Sequence, residues 1–301
     1  MLSGSNNMLP GHNGMLPGSN GMLPGLLFVL VLIIFIIQIW KFYKREVVKT
    51  TNELCESSDC IRCCKNVFII EQAQSIFQKT FSKNKNLKRI EAAIFSSLTK
   101  SKYVLYVENL KACSVWSIED LPDSYRSDIK KLEENAMYFL QEYYLLEDSN
   151  NKYVSSQWSK IFLYNQGVQN LKMTNFFQKT SSILKQCKNI LEGCFFGYSF
   201  FSIVYPNTFI AEHTGPTNTR LRCQVALSIP KLELGDKCEL IVAGKKVEWE
   251  SGKAALFDDS FLHSVQYTSK SRLKSRILLI VDFWHPDLKL EERLCIQKCY
   301  S

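Results

Sequence analysis

Histidine is scarce in this 301-residue chain, with only four copies. One of them, His12, falls in the first 25 residues, which hold no charged side chain at all and repeat MLPG with Ser, Asn and Gly between copies. A Pro-Gly break every seven residues or so excludes a lasting helix or a packed core there, so residues 1–25 are expected to be a disordered tail and His12 no ligand. No N-x-S/T glycosylation acceptor occurs anywhere. A basic start and a small-residue cleavage site are also missing, which argues against a cleaved signal peptide. The 37 Lys and Arg against 29 Asp and Glu give a net charge of only +8. These cations are scattered, as in SKNKNLKR (82–89) and KSRLKSR (270–276), without aromatic interleaving, so nucleic-acid binding is excluded.

What is present begins with an uncharged apolar run, LLFVLVLIIFIIQIW (26–40), closed by KFYKR. From residue 26 to 43 a helix would span about 27 Å, enough for a thin bilayer. Trp40, Phe42 and Tyr43 supply an interfacial belt and Lys41 and Lys44 can snorkel, so a transmembrane anchor over 26–43 is expected. Its orientation draws conflicting signals. Lys41, Lys44, Arg45 and Lys49 after the span favour a cytosolic domain by the positive-inside rule. The eleven cysteines favour an oxidising compartment and disulfides. Four of them, Cys55, Cys60, Cys63 and Cys64, crowd a juxtamembrane linker over 44–65. Their spacing also matches one iron–sulfur pattern, but nothing supplies the fourth ligand or a redox context. In a cytosolic setting they would be palmitoylation candidates.

The rest, about 200–230 residues and rich in apolar side chains, suffices for one large domain. Apolar spacing predicts helices over 66–82, 123–147 and 174–191 within a mainly helical region. From about residue 195 the pattern changes to short strands: 195–205, 220–229, 238–244, 245–251, 253–259, 262–268 and 276–284, with AGKK (243–246) as a tight hairpin. Strands so spaced suggest a double-sheet jelly roll closed around a pocket.

Two of the remaining histidines carry chemical weight. His213 lies in EHTGPTNTRLRCQ and His263 in LFDDSFLHSVQY, while Arg276 opens RILLIVDFW. Two neutral imidazoles suit ferrous iron, and an arginine beyond them suits the far carboxylate of a 2-oxo acid. The usual third ligand, a carboxylate two residues after the first histidine, is replaced by Gly215. Glu212, Asp258 and Asp259 are near in sequence but are expected to face away. Arg220, Arg222 and Gln224 share one face of their strand, where Arg222 and Gln224 could meet an acidic ligand or merely form salt bridges.

HTGPTNTRLR, GKAALFDDSFLHSV and RILLIVDFWHPDL, with WSKIFLYNQG and SIVYPNTFIAEH upstream, resemble the aspartyl/asparaginyl β-hydroxylase family. CESSDCIRCC (55–64) after the apolar run resembles its small single-span subgroup. The resemblance implies a mainly β fold with a helical flank, a double-stranded β-helix (jelly-roll) oxygenase domain over 158–293 after one N-terminal transmembrane helix. The helical region is then 66–157 and the C-terminal tail 294–301. It further implies Fe(II) on His213 and His263, with Gly215 as the family's mark, and 2-oxoglutarate as cosubstrate on Trp158, Ser202, Arg222, Gln224 and Arg276. Gln224 departs from the family's histidine and cannot add charge. His285, in WHP, is expected to be structural.

The activity so implied is a membrane-anchored dioxygenase hydroxylating a protein or peptide substrate, with EGF-like domains as candidate partners. Its expected location is the endoplasmic reticulum, with a lumenal C-terminal domain. Two other readings compete: a catalytically impaired family member acting as a membrane-bound binding protein, and a zinc hydrolase, which would want a third protein ligand.

Overall fold

RILLIVDFW forms strand β11, Arg276–Trp284, and every one of its nine residues is buried. A strand covered on both faces has no solvent side to mark with polar residues, so its sequence is a nearly unbroken apolar run. Odd-numbered residues from Ile277 to Phe283 pack under helices; Leu278 and Ile280 lie on the opposite face, and Trp284 packs with a separate group of helices. The computed structural model describes residue 61 and residues 66–96, 103–148, 157–270 and 274–301, all within the unit Lys49–Ser301.

In chain order the elements are α1 (Asn66–Thr80), a 3-10 turn, α2 (Lys88–Ser96), β1 (Val115–Trp116), α3 (Asp123–Glu134) and α4 (Ala136–Asp148). Next come β2 (Trp158–Asn165), β3 (Val168–Gln169), α5 (Leu171–Phe176) and α6 (Gln178–Leu184). The strands β4 (Ser199–Val204), β5 (Thr208–His213), β6 (Arg220–Ser228), β7 (Lys237–Val242), β8 (Lys245–Val247), β9 (Ala254–Phe257), β10 (His263–Thr268) and β11 follow, and α7 (Leu290–Cys299) closes the order. The strands form one sheet in the order β1-β9-β6-β11-β4-β2-β3 and another in the order β5-β10-β7-β8. All named pairs are antiparallel.

Two layers of helix cover this frame. Tyr125, Ile129 and Leu132 of α3 and Phe139 and Tyr143 of α4 pack on the odd face of the larger sheet, against Leu221, Cys223 and Val225 of β6 and Leu279 and Val281 of β11. Separately, Ile70, Ala73 and Phe77 of α1 join Ile90 and Ile94 of α2 and Cys295, Ile296 and Cys299 of α7. Arg89 fastens α2 to α7 by two bonds to Glu292, of 2.6 and 2.7 Å.

The fold is therefore a mixed α/β arrangement of double-stranded β-helix type, not a mainly β domain with a helical flank. Among the described residues no helix is long and apolar enough to cross a membrane. The run 26–43, on which the expected transmembrane helix and the single-pass endoplasmic-reticulum location rest, lies outside the described residues. The MLPG tail, His12, Cys55, Cys60, Cys63 and Cys64 also lie outside them. The seven described cysteines are all free thiols, against the expectation of disulfides.

Two local expectations change for visible reasons, and a third holds. The helix read over 123–147 breaks at Asn135, whose side-chain N–H donates to Lys131 O at 2.8 Å and whose φ/ψ is −107/5. An Asn side chain that binds local backbone competes with the helix ladder. The helix read over 174–191 ends at Leu184, because the Lys188 and Asn189 N–H groups turn to Asp128 Oδ2 at 2.8 and 2.9 Å. The AGKK hairpin does form: Ala243 and Gly244 take φ of 48° and 76° between β7 and β8, as a two-residue primed turn requires.

Candidate functional site

Ladder register brings the histidines together. His213 ends β5, His263 begins β10, and the two are direct cross-strand partners. Their ring centroids lie 4.2 Å apart. Each ring is oriented the same way: Nδ1 donates to a backbone carbonyl two residues earlier, Ala211 O for His213 and Phe261 O for His263, both at 2.8 Å. Nε2 is then the lone-pair nitrogen of each ring. Burial, and next the neighbouring His213, push His263 down to about 3, so its ring stays neutral at ordinary pH.

The histidines sit in a cavity of about 520 Å³ between the two sheets. Trp158, Ser202, Arg222, Gln224 and Arg276 line the same cavity, so all seven residues singled out in the sequence converge. Residues 220, 222 and 224 do share the inner face of β6, and Arg222 stands directly across from Asp282 of β11.

That pairing decides what Arg222 can do. Its Nε and Nη2 donate to Asp282 at 2.8 and 2.9 Å, and Nη1 lies 3.2 Å from Asp259. Arg220 makes the matching pairs, Nε to Asp259 Oδ1 at 3.1 Å and Nη1 to Asp282 Oδ2 at 3.1 Å. Two arginines and two aspartates thus form a closed, buried square. Burial opposes the charge of Asp259, but Arg220 and Arg222 hold its carboxyl well below the usual range. Burial likewise works against Arg220, and Asp259 and Asp282 more than restore its charge.

Arg276 is the contrasting case. It is 1% exposed, and its Nη2 donates to Ser202 Oγ at 3.2 Å. Its Nε and Nη1 are buried with no hydrogen-bond partner. No carboxylate figures among the groups acting on it, and burial lowers it to about 10, still cationic at neutral pH. Ser202 Oγ also accepts from Trp158 Nε1 at 3.0 Å. Two acceptances fill both lone pairs of a hydroxyl, leaving its own hydrogen to donate.

The sequence did not single out Trp249, whose indole N–H donates to Gln224 Oε1 at 2.8 Å. It also misplaced Asp259. The alternation argument that turned this side chain away assumes a strand, whereas residues 258–262 form the turn between β9 and β10. His285 has the structural role expected of it: Nε2 donates to Lys111 O at 3.1 Å, and Nδ1 accepts from Asp287 N at 3.2 Å.

The family model described as aspartyl/asparaginyl beta-hydroxylase matches residues 124–286. The chain belongs to this family. It is 29% identical over 268 residues to aspartate beta-hydroxylase domain-containing protein 2 of Xenopus tropicalis, an alignment covering 82% of this chain and 70% of that one. The human protein of that name aligns with the same identity and coverage. Human aspartyl/asparaginyl beta-hydroxylase is 34% identical over 197 residues, covering 62% of this chain and 24% of its own length.

Membership does not supply a metal centre. Non-haem iron is usually held by two imidazoles and a carboxylate. Among the described residues no group of three or more His, Cys, Asp or Glu side chains could hold a metal ion. The third place is Gly215, and a Cβ built there would lie 2.5 Å from Asp259 Oδ1. The one carboxylate at that spot is committed to Arg220 and Arg222. This departs from the usual three-donor set, and the expected iron, the 2-oxoglutarate to be chelated on it and the dioxygenase activity lack a three-ligand centre among the described residues; a zinc hydrolase lacks its third protein ligand on the same count. The impaired, binding-only alternative is the better supported reading.

Proposed function

We propose that the chain is a catalytically impaired member of its family, whose cavity binds a small carboxylate without a metal. Arg276 carries this reading: a buried cation with two unpartnered nitrogens, Nε and Nη1, in the wall of a cavity. A buried charge without a partner is costly, and a bound carboxylate offsets that cost with charge-assisted hydrogen bonds. Ser202 and Gln224 add donors beside it, while Trp158 orients Ser202. Arg222, whose nitrogens are already matched to Asp259 and Asp282, serves the wall and not the ligand. The histidine pair contributes two imidazole rings at the cavity surface, that of His263 neutral.

The test uses the full chain in a chelator, titrated with glutarate by calorimetry and thermal unfolding. Glutarate is expected to bind and to raise Tm, and Arg276→Met to abolish both effects. Chain supplied with ferrous iron and 2-oxoglutarate is expected to form succinate only at the blank level. Turnover above blank, or no response of the wild type to glutarate, would overturn the proposal.

A further inference from the structure

Arg276, Ser202 and Gln224 can each supply a donor to one end of the cavity, and one residue outside the inferred ligand contacts arranges this. Trp249 lies in the loop between β8 and β9, packed against the layer formed by Phe200, Ala226, Leu278 and Ile280. Its indole N–H donates to Gln224 Oε1 at 2.8 Å. An indole nitrogen can only donate, so the amide oxygen must face it; a reversed amide would set two N–H groups head to head. Gln224 is buried in the cavity wall, and with its oxygen turned to the indole its N–H pair is turned the other way. The face of the same indole lies 4.7 Å from Arg276 Cζ, holding the guanidinium plane by a cation–π contact.

We infer that Trp249 is a positioning residue that locks this end of the cavity as all-donor, so that it selects a carboxylate over the isosteric carboxamide. The inference rests on the carboxylate-binding reading above. A carboxylate presents acceptors only and is matched by Arg276, Ser202 and Gln224 together. A carboxamide of the same shape turns an N–H toward one of them, leaving buried donors opposed. Sites built on directed hydrogen bonds reject such mismatched analogues strongly. Without the indole N–H, Gln224 is at liberty to rotate its amide and accept from a carboxamide.

The probes are glutarate and its diamide, glutaramide, titrated into the full wild-type chain and Trp249→Phe, which keeps a ring over Arg276. Wild type is expected to prefer glutarate by at least about tenfold, and Trp249→Phe to reduce that preference to about twofold, chiefly by gaining affinity for glutaramide. An unchanged ratio in Trp249→Phe overturns the inference. A second measurement needs no ligand. In a 15N-tryptophan-labelled chain, with five tryptophans, the Trp249 indole N–H is expected to exchange slowly in wild type and at least about tenfold faster in Gln224→Met. Equal exchange in both overturns the bracket. If the wild type bound neither compound, the carboxylate reading would fall by itself, and the indole signal would still judge the bracket.

Discussion

Asp258 is 2% exposed in the turn between β9 and β10, and burial lifts its carboxyl to about 7 despite the Ser260 N–H bonded to it at 2.9 Å. Its ordinary value is 3.8. Between those limits the unfolded chain has lost this proton and the folded chain keeps it. The stability contributed by the neutral acid is fully present below about pH 4 and is lost as pH rises toward 7, at up to about 1.4 kcal/mol per pH unit. Urea unfolding at pH 4.5, 5.5 and 6.5 is expected to show that decline in the wild type and a shallower one in Asp258→Asn. The same slope in both would remove Asp258 as its source. At this scale the sequence displayed the residue types but not their partners. His213, His263 and Arg276 stand out by scarcity and setting. Arg222 looks like a ligand contact until Asp282, 60 positions away, is seen bonded to it, and which side of its amide Gln224 turns to a ligand depends on Trp249, 25 positions away.

Elements were legible where one covering dominates. β11 follows its apolar run because both faces are buried, and the β7–β8 turn follows its Ala-Gly pair. β2 was not legible: its burial does not alternate cleanly, and Phe162 opposes Phe200 just before a register shift. That strand turns back into β3 through Gln166 and Gly167, with φ of 53° and 76°. A Cβ on Gly167 would stand 2.3 Å from Cys194 N, so the glycine answers both to its dihedral and to backbone lying against it. Gly167→Ala is expected to cost about 1–3 kcal/mol in denaturant unfolding, with Gln166→Gly as a control expected near neutral or slightly stabilising. A Gly167→Ala loss within about 0.5 kcal/mol would show that the hairpin shifts without strain.

Over the whole molecule, the Arg220–Asp259–Arg222–Asp282 square ties the larger sheet to the turn by which the chain leaves it for the smaller one. Replacing one member strands the others. Asp282→Ala is expected to destabilise by about 3–5 kcal/mol, as a buried charge left uncompensated does. Arg222→Met combined with Asp282→Leu is expected to recover part of that loss, because the two act through one network. Additive losses in the double variant would show that the square does not behave as a unit. No sequence pattern announces such a network, since its members come from β6, β11 and a turn that meet only after folding.

The free thiols have a use of their own. Cys194 belongs to the layer of α1, α2 and α7, and Cys223 to the layer between β6 and the α3–α4 pair. Burial raises both thiols, Cys194 to about 12, and alkylation requires an accessible thiolate. Each layer therefore carries a built-in chemical clock that runs only while that layer is open. Iodoacetamide labelling resolved by peptide mass is expected to modify the two at different rates if the layers open independently, and at one rate if the protein opens only as a whole.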